Sequence, residues 1–533
     1  MKKLSNLFKK NKNKKKIEMN NNIEINSVDK ETKIKKDLDE NINIIKNELG
    51  NSSDIVIKRF FSGKDKDIEM AIIFIEDLVN KNMIYDFLLK PLMIESKDID
   101  ISDKINNDLI NKFVENIIPD ADMKKINEYK NLFQNLLSGE TIVLMNSCDI
   151  CFSASTRGFE DRGVKEPSSQ NVIKGPKDGF SETLKTNISL IRRRIKNTNL
   201  RVEKRILGKQ TNTDIAIVYL KNIADEKVLK EVNKRLNKID IDSILGSGYI
   251  EELIQDSTFS PFPTTYNTER PDVISAGILE GRIAILVDGT PFVLLVPTLF
   301  VEFFHAAEDY YQRADISSLI RILRYVSFFL SLLTPGIFIA ITTFHPEMIL
   351  PPLLISIVAQ REGIPFPALI EILIMEITFE ILREAGIRMP KTIGTAISVV
   401  GGLVLGDAAV QAGLISPAAV IIVSITALSS FTSPSYDIAM TARILRFVFM
   451  ILGSSFGLYG IALGLIAMLL HLCSLRSFGV PYMSPFAPFN IQGQKDALIR
   501  FPLWDKFKRP KYIANKNTTK QQSPEDAKPQ KPE

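Results

Sequence analysis

Thr392–Pro417 reads TIGTAISVVGGLVLGDAAVQAGLISP, an apolar stretch built largely from Gly, Ala, Ser and Val with one acid, Asp407. In water that composition makes a poor helix, because Gly and Val both cost helix stability relative to Ala. In a bilayer, backbone polar groups must be satisfied within the segment and small residues let helices approach closely. The stretch therefore predicts a spanning helix inside a bundle.

The rest of the chain fits around that reading. Of 533 residues, 45% are apolar and 24% charged, with a net charge of +5, but the averages hide an asymmetry. Nearly all lysine lies before about residue 240 or from Lys495 onward. Between Ile283 and Leu475 apolar runs reach the roughly 20 residues that a crossing takes. The N-terminus carries eight lysines before Ile17 and no apolar core of the signal-peptide kind, so the region that follows is expected on the cytoplasmic side. Residues 1–50 read as a disordered basic tail, solvated or touching anionic lipid.

From Asp54 the chain reads as α+β. Strands are expected at Asp54–Phe61 and Glu69–Glu76, a helix at Lys81–Leu92, and helical patterns at Lys104–Ile117 and Asp122–Leu137. Strands follow at Glu140–Asn146 and Asp149–Ser153, then a Gly/Pro/Ser-rich loop over Gly158–Gly179 and a helix in SETLKTNISLIRRRIKN. Arg201–Leu207 and Asp214–Tyr219 read as strands and Asp225–Lys238 as a charged helix. The reading is two small α+β subdomains, 51–138 and 139–257, ahead of a helical membrane domain at 258–490 and a polar, basic, disordered tail at 491–533.

Little in this sequence points to catalysis. LGSGYIEEL at 245–253 has only two glycines of a dinucleotide fingerprint, and no P-loop, HExxH or GxSxG is present. Cys148 and Cys151 form a CxxC without the second pair a tetrahedral zinc site needs, and read as packing residues. His305, His345 and His471 stand far apart, against metal or triad chemistry. Arg192–Arg194 lacks the interleaved aromatics of a nucleic-acid surface and reads as a solvated or partner-facing patch. Neither an enzyme, a cofactor, a metal nor a nucleic-acid partner is expected.

Several motifs carry a resemblance. PFPTTYNTERPDVISAGILEGRIAILVDGTPF, TTFHPEMI at 342–349, AQREGIPFPALIE at 359–371, EILREAGIRMP at 380–390, SFTSPSYDIAM at 430–440 and HLCSLRSFGVPY at 471–482 resemble the A subunit of the GerA family of spore germination receptors, as does GFSETLKTNISLIRRRI. The likeness covers roughly residues 50–490 and excludes both tails. It implies an integral protein of the spore inner membrane that acts with a B-type nutrient-binding membrane subunit and a C-type lipoprotein. It also implies a homo-oligomer of the A subunit that conducts monovalent cations. The alternatives are a non-conducting scaffold that transduces the signal, and a secondary transporter, against which the lack of an inverted repeat counts.

Arg321–Phe344, Thr392–Ala412, Ala418–Phe431 and Ile444–Cys473 are expected to span, the last interrupted by GSSFGLYG. Ile283–Val301, with Asp288, Gly289 and two prolines, and Ala368–Gly386 stay open, giving four to six membrane segments. An even number keeps the N-domain and the basic C-terminal tail on one side. Glu376, Glu380 and Glu384 fall on one helical stripe. Either they line an interface, partly neutralised by Arg383 and Arg388, or they form an acidic vestibule. In the channel reading Val400 and Val404 are the hydrophobic gate. Gly401, Gly402 and Gly406 either bring copies together around that gate or serve tight helix packing without a pore, and Asp407 either contacts ions or sits hydrated at the helix end.

Overall fold

The computed structural model describes residues 33–63, 68–94, 123–158, 166–388, 406–514, 517–520 and 528, and divides into two compact units, Met1–Gly158 and Phe159–Glu533.

The first unit opens with α1 (Leu38–Leu49), inside the stretch read as a disordered tail. Leu38, Ile42, Ile45 and Leu49 recur at helical spacing and are buried, Asp37 caps the first turn and Gly50 closes the last at φ 64°. The Lys/Asn/Glu composition conceals this amphipathic period. A five-stranded antiparallel sheet follows in the order β1 (Ile55–Ser62), β2 (Ile68–Ile75), β4 (Thr141–Met145), β5 (Cys151–Ala154), β3 (Met123–Ile126). The boundary expected near residue 138 thus falls inside one sheet, because β4 pairs with β2 as well as with β5. The single helix expected over Asp122–Leu137 is strand β3 followed by α2 (Tyr129–Leu136). The pattern at Lys104–Ile117 lies outside the described residues. Cys148 and Cys151 are buried, and burial raises the Cys148 thiol to about 11, as suits packing residues.

The second unit is built on a second antiparallel sheet, ordered β6 (Leu200–Leu207), β7 (Thr213–Leu220), β9 (Ile283–Val287), β10 (Val293–Val296), β8 (Tyr266–Thr268). Both faces are covered. Helices α3 (Leu184–Arg194) and α6 (Pro271–Glu280) pack on Ala216, Val218, Ala284 and Leu286. Helices α4 (Glu226–Leu236) and α5 (Ser247–Ile254) pack on Ile215, Ile217, Ile283 and Ile285. Alternate strand residues therefore enter different apolar layers, and the strands read as continuous hydrophobic runs. That resolves Ile283–Val301: it is β9, a turn with Gly289 at φ 83°, and β10, not a membrane segment. Arg192, read as surface, is 1% exposed within this unit.

The C-terminal segment is not a free tail up to residue 514. Ala497, Arg500, Ile513 and Ala514 are buried, and Ala514 bridges Ala224.

From the sheet the chain enters helices α7 (Ala314–Phe344), α8 (Pro351–Arg361), α9 (Ala368–Arg388), α10 (Gly406–Gln411), α11 (Pro417–Phe431) and α12 (Tyr436–Ser474). α7 and α12 are long and apolar enough to cross a membrane; α11 is shorter. α12 is a hairpin of two arms that reverses at Gly457 (φ 60°, ψ −147°). A methyl group on Gly464 would lie 2.8 Å from Leu452 and 2.9 Å from Phe449, residues that a straight helix would hold about 18 and 22 Å away. Both arms meet the same loop at their outer ends, through Thr441 on the Pro261 carbonyl and His471 Nε2 at 2.8 Å from Ser260 Oγ. The expected interruption at GSSFGLYG is thus a full reversal.

Gly457 occupies backbone space open essentially to glycine alone, and an added Cβ would sit 3.0 Å from His345 Nε2 and 3.1 Å from Phe344 Cβ. Gly457→Ala is expected to destabilise the detergent-solubilised chain by about 1–3 kcal/mol. Gly363→Ala, at a site with open space around it, should leave the thermal unfolding midpoint nearly unchanged.

Candidate functional site

The helical bundle is organised by polar groups that its apolar helices carry inward. Pro335 inside α7 has no N–H, so the carbonyl four residues earlier, that of Ser331, loses its helical donor. Arg446 on the first arm of α12 replaces it: its Nε donates to the Ser331 carbonyl at 2.7 Å. The same guanidinium reaches α9, where Nη1 donates to Glu376 Oε2. Arg446 is 1% and Glu376 0% exposed, so three helices meet at a dry ion pair. Beside it the backbones of α7 and α12 touch. A Cβ on Gly336 would fall 2.8 Å from the Phe449 oxygen, and one on Gly453 2.6 Å from the Gly336 oxygen. Only glycine permits that approach.

Further along, Glu380 receives Arg383 of its own helix at 2.8 Å and approaches Arg443 of α12 at 3.8 Å. Glu376 against Arg446 and Glu380 against Arg443 set α9 antiparallel to that arm. Glu371, fully buried, accepts from the Ser416 amide at 2.6 Å and from its hydroxyl, capping α11, while Phe379 meets Phe431. Those contacts set α11 parallel to α9. α9 therefore ends toward the sheet end of the bundle, whereas Gly413 lies against Gly363 at the opposite end.

The sequence-derived candidates separate on this frame. Glu376, Glu380 and Glu384 share a helix but not an environment: Glu376 is in the ion pair, Glu380 is partly buried between two arginines, and Glu384 is exposed with Arg388 at 2.7 Å. Gly406 is buried near Val420, and Asp407 is exposed in the first turn of α10, accepting from Gln411 at 2.7 Å. Val400, Gly401, Gly402 and Val404 lie outside the described residues. Arg443 and Arg446 were missed. Their signal was TARILRF, two cations three residues apart in an apolar helix, the spacing that answers acids four apart on a partner.

A second ionic knot joins α7 to the sheet. Asp309, 2% exposed, accepts from Arg321 Nη2 at 3.1 Å and from Arg324 Nη1 at 2.8 Å, and Arg321 Nη1 also reaches Asp496 at 3.0 Å. Lys506 pairs with Asp496 at 2.6 Å. Burial alone would raise the Asp496 carboxyl, but the Lys506 and Arg321 charges hold it down at about 2. Among the described residues no His/Cys/Asp/Glu cluster could hold a metal.

The second unit joins a sheet-based α/β region to an apolar helical bundle, two of whose helices are long and apolar enough to cross a membrane. Residues 43–512 match the family described as Bacillus/Clostridium GerA spore germination protein. Spore germination protein KA of Bacillus subtilis is 52% identical over 92% of this chain and 90% of its own length. Spore germination protein GerLA of Bacillus cereus is 38% identical over 89% and 95%, and the uncharacterized membrane protein YfkQ of Bacillus subtilis 41% over 89% and 91%. The crystal structure of the N-terminal domain of the A subunit of the Bacillus megaterium spore germinant receptor GerK3 is 40% identical at a TM-score of 0.41, over 51% of this chain and 98% of that domain. The chain belongs to the GerA family of spore germination proteins.

Arg446→Met removes the partner of Glu376 and of the Ser331 carbonyl together, and is expected to cost about 3–5 kcal/mol, the range for breaking a buried ion pair. Adding Pro335→Ala returns an N–H to that carbonyl and should recover part of the loss. Adding Glu376→Met should recover more. Thermal unfolding of the three variants in one detergent checks the order.

Proposed function

We propose that this chain is the A-type subunit of a nutrient-responsive receptor in the spore inner membrane, and that copies of it surround an axis that releases monovalent cations when nutrient is sensed. Its partners in this reading are a B-type membrane subunit that binds nutrient and a C-type lipoprotein. In this reading the N-terminal soluble region stands on the spore-core side.

The observation that carries this reading is the exposure of charge on an apolar bundle. In the single chain Glu384 on α9 and Asp407 on α10, with Arg388 and Gln411 beside them, reach a surface that is otherwise largely apolar, as at Ile381 of α9 at 64% and Leu428 of α11 and Leu470 of α12 at 68% exposure. Lipid would penalise such acids heavily. A surface shared between copies around water accommodates them, while the apolar faces meet lipid. The bundle also favours six crossings: α7, α9, α11, the two arms of α12, and the Thr392–Pro417 segment that links the sheet end at Arg388 to the far end at Gly406. In this reading that segment faces the axis, Val400 and Val404 close the path by dewetting, and Asp407 meets the ion.

Purified receptor complex in liposomes is expected to pass potassium only when nutrient is added. Absence of flux under every nutrient tested would leave a non-conducting scaffold. Val400→Ala or Val404→Ala should make the path leaky, so that spores germinate without nutrient; unchanged dormancy in both would place the gate elsewhere.

A further inference from the structure

After the bundle the chain returns over the sheet end of α7 and builds a corner with two unlike surfaces. One is a cleft of about 190 Å³ between the end of α6 and the chain from Asn490 to Lys511, lined by six cations and three acids. The acids Glu280, Asp496 and Asp505 take Lys520, Lys506 and Lys495 as partners. Lys508, Arg509 and Lys511 have no acid at ion-pair distance among the described residues; Arg509 donates to the Leu279 and Asn517 carbonyls, and both lysines are exposed. The cleft therefore carries three surplus positive charges.

The other surface is apolar. Phe489 and Ile491 stand exposed at the rim of the cleft, and Leu498, Ile499, Phe501 and Leu503 are exposed further along the same segment. Lys495 ties the two surfaces together, pairing with Asp505 at 2.7 Å and lying 5.7 Å from the centre of the Phe501 ring. Arg500, between Ile499 and Phe501, meets Ser318 Oγ of α7 with both its amide and its carbonyl at 3.1 Å. The apolar ledge thus continues into Ile316, Leu319 and Leu323, exposed residues of α7. An exposed patch of this kind marks a binding surface. Its level points to lipid. α7 has 31 residues and is about 46 Å long, against about 30 Å for a hydrocarbon core. Its charged residues, Asp315, Arg321 and Arg324, all lie at the sheet end, so the excess length falls there and the corner stands at the headgroup layer.

We propose that this corner binds an anionic phospholipid of the bilayer, with its phosphate on Lys508, Arg509 and Lys511 and its acyl chains beside Ile499 and Phe501 and down the outward face of α7. A soluble anion would leave the ledge bare, and a zwitterionic headgroup would bring its own cation to three that already lack acids. The proposal rests on α7 crossing a bilayer and is independent of ion conduction.

Trp504, between Leu503 and Asp505, is the one tryptophan of the chain, so its fluorescence reports on this corner without labelling. The full protein is placed in nanodiscs of phosphatidylcholine with a minor share of phosphatidylglycerol, and bromine is carried on the acyl chains of one lipid or, in equal amount, of the other. Headgroup composition is then constant and only the brominated lipid changes. Bromine on phosphatidylglycerol is expected to quench Trp504 at least about twofold more than bromine on phosphatidylcholine. Lys508→Gln with Lys511→Gln, at two exposed positions, should bring the two to parity while quenching by phosphatidylcholine persists. Millimolar inorganic phosphate, set against chloride of equal ionic strength, should leave the difference standing. Absence of quenching by either lipid would mean that protein, such as a second copy, covers the ledge, and would overturn the assignment. Equal quenching by both lipids, a preference that survives the double variant, or one that phosphate abolishes would overturn it as well.

Discussion

The bundle depends on the Arg446 guanidinium. An apolar helix that contains proline must find a donor for the carbonyl the proline abandons, and inside a dry bundle water cannot supply one. Arg446 supplies it to Ser331 and brings a charge that needs an acid, which Glu376 on a third helix provides. One proline in α7 thus fixes which residue of α12 faces it and which turn of α9 closes the triangle. Because each group is costly without the others, the arrangement acts as a register pin more than as a source of net stability. The backbone contact at Gly336 and Gly453 follows from the same pin, since it requires those glycines at one level.

The sheet imposes its own register on α7. Arg321 and Arg324 are one turn apart, and both reach Asp309 in the turn before the helix, so the first turns of α7 are clamped to the chain that delivers them. Asp496 and Lys506 extend this knot to residues that return after the bundle. The chain therefore leaves and re-enters the sheet region at one ionic site. That explains why the segment from Ile491 to Ala514 packs despite a polar composition: Asp496 and Lys506 are matched inside the knot, and Ile513 and Ala514 join the apolar clusters on the two faces of the sheet.

Most regular elements were legible because their periods are clean. Strands β1, β2 and β4 to β7 and helices α3 and α4 stand where their apolar runs and helical spacing predict them, whereas β3 was read as helix. The errors have physical causes. Ile283–Val301 stayed open because a strand covered by helices on both faces is as apolar as a span, and period alone does not distinguish them. α1 was hidden because four well-spaced apolar residues lie in a strongly polar composition. The stripe of Glu376, Glu380 and Glu384 was visible, but a helix stripe does not say what faces it. The answer lay some 70 residues away in Arg443 and Arg446, a pairing that only the fold creates.

The two anchoring systems divide the bundle unequally. α7 and both arms of α12 are tied to the sheet, α7 by Asp309 and α12 through Thr441, His471 and the bond from Asn267 to Asp437. α9 and α11 attach to those helices through Glu376, Glu380 and the apolar cluster of Ile339, Ile372, Val423 and Met450. A displacement of the sheet is thus imposed first on α7 and α12, and reaches α9 through the Arg446 junction. A buried ion pair is directional and short-ranged, so the junction either follows such a displacement intact or separates at a cost of several kcal/mol. Sheet and helices α9 and α11 are thus joined through this ion pair and the apolar cluster beside it.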